Sequence, residues 1–303
     1  MTDTDTIVSG VDGSASALHA AAWAAAEAER HGARLRLVHA YLVPDHGYPG
    51  FLATAHEVRE GLRKQGEGWL REAKEAAEKA APGVEVETAL TEKLATTALL
   101  GESRGATLVV LGSRGLGGFS GLPIGSVAVA LAAHGECPVI VVRGKRPDDV
   151  PPTEGPVVVG IDESEASRLA VEFAFAEAAR RRVPLVAVHV WNDVTLEATV
   201  RMYPLTIDPA DVDAREGAML EEQLADCRQR YPDVTVEAVV ERGRPVRTLL
   251  ELGERAQLVV VGSRGRGGFT GMLLGSTSRT LVVHAPCPVA VVRPQSTGKD
   301  VAP

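Results

Sequence analysis

Residues 111–126 read LGSRGLGGFSGLPIGS, and residues 261–276 read VGSRGRGGFTGMLLGS. The two stretches correspond at a constant offset of 150, pairing Gly112 with Gly262, Gly115 with Gly265 and Gly125 with Gly275. An apolar run leads into each copy (107–111, 257–261), and a run with helical spacing leads out (126–134, 276–284). The context is a strand, a glycine-rich loop and a helix. Such a loop turns backbone N–H groups and a helix N-terminus toward one point, which is the geometry of a phosphate site.

Working outward from the first loop, residues 6–11 form a short apolar strand that ends at Asp12-Gly13-Ser14. Residues 15–30 read as an Ala-rich helix, with Ser14 as its N-cap and Gly32 past its end. A second strand (35–43) contains His39, and helical spacing runs over 51–81. A third strand (84–90), a helix (93–104), the loop-bearing fourth strand and a fifth strand, PVIVVR at 138–143, complete the set. Residues 144–156, GKRPDDVPPTEGP, are Pro-rich, charged and aperiodic, as a linker is.

The pattern then restarts. A strand at 157–161 ends at Asp162-Glu163-Ser164, and PVAVVR at 288–293 repeats the fifth strand. Between them lie a helix (166–181), a strand (185–190), a helix (213–230), a strand (234–240) and a helix (245–254). The expected organisation is a domain at 1–143, a linker at 144–156, a second domain at 157–294 and a disordered polar tail at 295–303.

Near-continuous apolar strands alternating with helices describe an α/β fold, a parallel sheet covered on both faces. Right-handed crossovers leave few topologies, and the five-strand solution is doubly wound in the order 3-2-1-4-5. The prediction is thus two tandem, doubly wound, parallel five-stranded sheets of Rossmann-like type. Ligands of open α/β sheets bind at the switch point beyond the strands' carboxyl ends. Asp12 after strand one and the loop after strand four both face it.

The totals set limits. At 303 residues the chain accommodates two domains of ordinary size, and 45% hydrophobic with 24% charged residues is a globular composition. A formal net charge of -8 argues against general nucleic-acid binding, which needs a basic footprint. No apolar run approaches membrane-spanning length, and no secretory signal is visible, so a cytoplasmic setting is expected. Cys137, Cys227 and Cys287 form no CxxC pair and read as small buried hydrophobes.

Each conspicuous residue has a chemical role at such a switch point. Gly112, Gly115, Gly117 and Gly118 allow positive φ and close approach of backbone to an anion, as do Gly262, Gly265, Gly267 and Gly268. Gly125 and Gly275 admit the chain to the next helix. Ser126 and Ser276 cap that helix and offer hydroxyls to a phosphate. Asp12 and Asp162 accept from ribose hydroxyls or help hold a phosphate-bound Mg²⁺. Adenine would take backbone hydrogen bonds near Ala40 and Val190.

Known phosphate motifs do not fit. A Walker A loop needs Lys between the glycine and the hydroxyl residue, and Gly125-Ser126 has none. The G-x-G-x-x-G fingerprint is broken by Ser120 and would belong after strand one. No kinase loop, G-x-S-x-G elbow or H-E-x-x-H stands out. The site looks made to hold a nucleotide rather than to attack it.

The spacing Gly112-x-x-Gly115, nine residues, then Gly125-Ser126 resembles the ATP-binding signature of the universal stress protein family, and it occurs twice, intact. The aspartates after strand one and the closing Cys-Pro-Val strands are also similar to that family. The resemblance implies ATP held by the residues named above, often with Mg²⁺. The wider site then takes in Gly10, Ser113, Arg114 and Val127 in the first half, and Gly160, Ser263, Arg264 and Thr277 in the second. It further implies pairing of the halves through their fifth strands, homodimers of tandem chains, and a regulatory protein partner in stress, dormancy or hypoxia responses. Slow ATP hydrolysis or autophosphorylation occurs in some members, and others are interaction modules without nucleotide. Thr277 and Ser278, where the first half has Val127 and Ala128, give the second site extra hydroxyls.

Plainer roles compete at several positions. His39 and His189 read as core histidines with satisfied hydrogen bonds. His134 and His284 suit helix C-termini. Arg114 and Arg264 either neutralise phosphate or are solvated loop charges. Trp23 and Phe173 read as core anchors. Asp12 and Asp162 either bind ligand or only shape the turn before the first helix.

Overall fold

The fold is described from a computed structural model over residues 5–43, 52–116, 124–146, 149–191, 209–265 and 274–294. By compactness the chain divides into two units, 1–150 and 151–294. The expected tail at 295–303 lies outside the described residues.

In the first unit, β1 (Thr6–Gly10), β2 (Arg34–Tyr41), β3 (Val86–Glu92), β4 (Leu108–Gly112) and β5 (Val139–Val142) form one sheet in the order β3-β2-β1-β4-β5. Every pairing in it is parallel. The helices are α1 (Ala15–His31), α2 (Leu52–Ala80), α3 (Ala95–Ser103) and α4 (Ser126–His134). The second unit repeats this as β6 (Val157–Ile161), α5 (Glu165–Arg181), β7 (Leu185–Trp191), α6 (Pro209–Arg230), β8 (Val236–Arg242), α7 (Pro245–Gly253), β9 (Leu258–Gly262), α8 (Ser276–His284) and β10 (Val289–Val292). Its sheet runs β8-β7-β6-β9-β10, again all parallel. Both sheets have the order expected from crossover handedness.

Helix α1 shows why these residues take these places. The Ser14 hydroxyl accepts from Ala17 N at its start, and Gly32 closes its end in the left-handed region at φ 62°. Ala17, Ala20, Ala21, Ala24, Ala25 and Ala28 are buried, so the helix lies close on the sheet. Below it the strands bury Ile7, Leu35, Leu37, Val109 and Ile140 completely. Burial of this kind contributes roughly 1.5–3 kcal/mol per large aliphatic side chain.

Two expectations shift. The third strand of each unit starts and ends later than its apolar run, at Val86–Glu92 and Val236–Arg242. Val84 and Val234 instead close the turn after the preceding helix, donating to Ala81 O at 3.2 Å and Tyr231 O at 3.1 Å. As the last strand in its sheet, each is half exposed and carries polar residues, Glu and Thr in β3 and Glu and Arg in β8, where an inner strand would need apolar ones. The second shift concerns Phe173, which is only half-buried, whereas Trp23 is buried as expected. Phe175, two residues on and across the helix, is the fully buried anchor and stacks on Tyr231 with ring centroids 6.0 Å apart.

The three cysteines are free and buried. Burial pushes the Cys137 thiol up to about 12 and raises that of Cys227. At pH 8 the Cys137 thiolate fraction is then on the order of one in ten thousand. The expected result is no reaction of native Cys137 with a thiol reagent at pH 8 and full reaction after unfolding in guanidinium. Labelling of Cys137 in the folded protein would contradict this burial.

Candidate functional site

The carboxyl ends of β1 and β4 meet at one place in the first unit, and those of β6 and β9 in the second. Asp12 Oδ1 accepts from Ser14 N at 3.1 Å and Ser14 Oγ at 2.7 Å, and Asp12 Oδ2 accepts from Leu116 N at 3.0 Å. The carboxylate therefore shapes the turn into α1 and also ties that turn to the glycine loop. Asp162 Oδ1 accepts in the same way from Ser164 N at 2.9 Å and Ser164 Oγ at 2.5 Å. Ser14 Oγ lies 3.2 Å from Arg114 O, and Ser164 Oγ lies 3.1 Å from Arg264 O, so the same bridge forms twice.

The described glycines of the loop are required by packing rather than by positive φ. Among described glycines, positive φ occurs at Gly13, Gly32 and Gly155 and not in the loop. A Cβ on Gly112 would come within 2.7 Å of the Ser16 backbone, and one on Gly262 within 2.8 Å of the Ala166 backbone, so these glycines admit the first helix. A Cβ on Gly115 or Gly265 would overlap the Asp12 or Asp162 carboxylate. Gly10 and Gly160 make room for Leu99 and Leu249. Gly117, Gly118, Gly267 and Gly268 lie outside the described residues.

Gly125 and Gly275 are different. Both have ordinary negative φ, and a Cβ on them would meet no described atom closer than 3.7 Å and 3.5 Å. Packing among the described residues therefore does not demand glycine there. They, and not the expected Ser126 and Ser276, are the N-caps of α4 and α8: the serines stand one position inside the helix, and neither helix has a side-chain cap, in contrast to α1 and α5 with Ser14 and Ser164. The first turns of α4 and α8 thus present backbone N–H groups that no N-cap side chain satisfies. Ser126 is exposed there, and Val127 and Thr277 are half-buried.

Other expected residues take varied places. Ser113 and Ser263 are buried, and their carbonyls accept from Gly125 N and Gly275 N at 2.8 Å, which closes the loop. Ser278 is also buried and donates to Gly262 O at 2.6 Å, so it gives the second site no free hydroxyl. Strand β2 runs on past Gly10, which pairs with Val38, so Ala40 lies beyond the end of β1. Val190 likewise lies beyond Ile161, the last residue of β6. Arg114 and Arg264 are exposed. Burial lowers the affinity of Arg293 for its proton, and the nearby charge of Arg264 adds to this, so cationic groups gather beside the second loop.

The histidines are structural. His39 and His189 are buried with Nδ1 at 2.7 Å from Val11 O and 2.9 Å from Ile161 O, which pins the strand ends before the aspartates. His134 and His284 end their helices at the surface.

Sequence spacing did not disclose a pair of serines that support the two turns differently. In the first unit Ser16 Oγ accepts from Arg114 N at 3.4 Å. In the second, Ser167 Oγ accepts from Asp162 N at 2.9 Å. They sit one position apart in the repeat, so alignment at the offset of 150 hides their common purpose.

The sequence model of the universal stress protein family matches residues 4–143 and again 155–293. The chain belongs to that family. A universal stress protein of Mycolicibacterium smegmatis is 40% identical over 300 residues, covering 95% of this chain and 97% of its own. One from Mycobacterium tuberculosis is 38% identical over 298 residues, covering 96% and 97%. Among solved structures, a universal stress protein from Archaeoglobus fulgidus superposes with a TM-score of 0.61 at 18% identity, covering 96% of this chain and 99% of that one. This universal stress protein matches those two bacterial relatives through both of its repeats. Among the described residues no helix is long and apolar enough to cross a membrane.

Proposed function

We propose that each unit binds one adenine nucleotide, ATP with or without Mg²⁺, and that the chain is a cytoplasmic stress-response regulator. The nucleotide state would set its conformation or its choice of protein partner. The observation that carries this reading is the pair Gly125 and Gly275. Among the described residues no packing need explains their glycine identity, and each stands at the start of a helix that has no side-chain cap.

The fit extends to the neighbours. The N–H groups of Ser126 and Val127, or Ser276 and Thr277, would hold phosphate oxygens. Asp12 already accepts three hydrogen bonds, which leaves one lone pair on Oδ2 for a ribose hydroxyl or a metal-bound water. Backbone groups of Ala40 and Val190 extend past β1 and β6, where a base could take them. Efficient hydrolysis is not part of the proposal, because a carboxylate this fully engaged is a poor general base.

Purified without added nucleotide, denatured and resolved by ion-exchange chromatography, the protein is expected to release close to two adenine nucleotides per chain. Failing that, ATP should raise its melting temperature saturably. Neither result would leave an interaction module without nucleotide. Turnover well above about one per second would instead make the protein an enzyme.

A further inference from the structure

The internal duplication provides its own control for residues 241–248, ERGRPVRT, against residues 91–98, TEKLATTA. Where the first unit has Glu92, Leu94, Thr97 and Ala98, the second has Arg242, Arg244, Arg247 and Thr248. The formal charge of the segment rises from 0 (Lys93 against Glu92) to +2 (three Arg against Glu241), within a chain of net charge -8. These residues surround a cavity of about 410 Å³ where β8 ends and α7 begins.

The cavity has the parts of an anion site. Arg242 is steadied over the Trp191 ring, 5.6 Å from its centroid. Arg247 Nε donates to Glu251 Oε1 at 2.8 Å, which holds that guanidinium at the rim. Arg244, the N-cap of α7, makes no ion pair among the described residues. Thr248 carries most weight. It is only 4% exposed and lines the cavity, yet its hydroxyl makes no hydrogen bond to any described residue. A helical Thr commonly donates to the carbonyl four residues back; the Thr248 hydroxyl does not and is open to the cavity it lines.

We propose that this cavity is an anion site particular to the second unit, taking the phosphate monoester group of a small ligand. Guanidinium forks match phosphate oxygens bidentately, and the Thr248 hydroxyl supplies a further donor. The first turn of α7 adds the favourable end of its dipole. The volume lies in the range of ligand pockets and leaves room for a small organic group. Glu241 and Glu251 offset two of the three guanidinium charges, which suits one bound group rather than a polyanion. The residues that line it come from 241–251 and include no described residue of the glycine loop after β9.

The test uses the full chain, with inorganic phosphate and glycerol 3-phosphate as probes against chloride at constant ionic strength. Amide resonances of Gly243, Arg247 and Thr248 are expected to shift saturably. In the variant Arg244→Leu/Arg247→Thr/Thr248→Ala, which installs the first unit's own residues, the apparent affinity should fall at least tenfold. Arg244→Leu alone, at an exposed position, should fall several-fold and guards against misfolding of the triple variant. Absence of a saturable shift in the parent, equal affinity in the variants, or shifts confined to the glycine loops would each overturn the proposal.

Discussion

A chain carrying Gly115→Ala and Gly265→Ala together is expected to purify without adenine nucleotide and to bind added ATP at least a hundredfold more weakly. The reason lies in the aspartates. The new Cβ atoms would overlap Asp12 Oδ2 and Asp162 Oδ2, so both carboxylates must swing aside. In the first unit this breaks the bond from Leu116 N and frees the glycine loop from the β1 turn. The expected stability loss is about 1–3 kcal/mol per unit, the scale for orphaning a buried or charged hydrogen-bonding group. Urea unfolding measures that cost, and titration calorimetry measures the affinity. Undiminished ATP binding in a folded double variant would sink the assignment of these crevices as nucleotide sites. Loss of nucleotide with an unchanged unfolding midpoint would show that the glycines serve the ligand alone.

The second large effect separates two aromatic residues of one helix. Phe175→Ala should destabilise the second unit by about 3–5 kcal/mol, the usual cost of emptying a buried Phe site. Phe175 is fully buried and stacked on Tyr231, which joins α5 to the end of α6. Phe173→Ala should cost less than about 1 kcal/mol, since that ring is already half in water. Chemical denaturation with two resolved transitions would show the first unit unmoved in both variants. A larger loss from Phe173→Ala would reverse the assignment of the core.

Much of the candidate site was legible because it is built from short local patterns. Asp12-Gly13-Ser14 and the Gly125-Ser126 step each announce a strand end or a helix start, and their repetition at 150 removes coincidence. The roles of individual glycines were not legible. Gly112 looked like a residue for anion approach, yet it is the Ser16 backbone that comes close to it. Asp12 and Leu116 are 104 positions apart, and no spacing rule reports that their atoms meet. Phe173 aligns with Trp23, yet Phe175 is the buried anchor. Helical phase decides such a choice only when the buried face is known.

The sequence by itself determined the duplication, the alternation of strands and helices and, through crossover handedness, the order of both sheets. Those features follow from local hydrophobic periodicity and from the chirality of the chain, which need no distant partner. Tertiary structure alone decided where the outer strands begin and end, which serine supports each turn, and which glycines the protein needs for itself. Each of these depends on the distance between groups far apart in the chain. Gly125 and Gly275 illustrate the division: the sequence marks them as glycine, and only the packed structure shows that no described neighbour requires it.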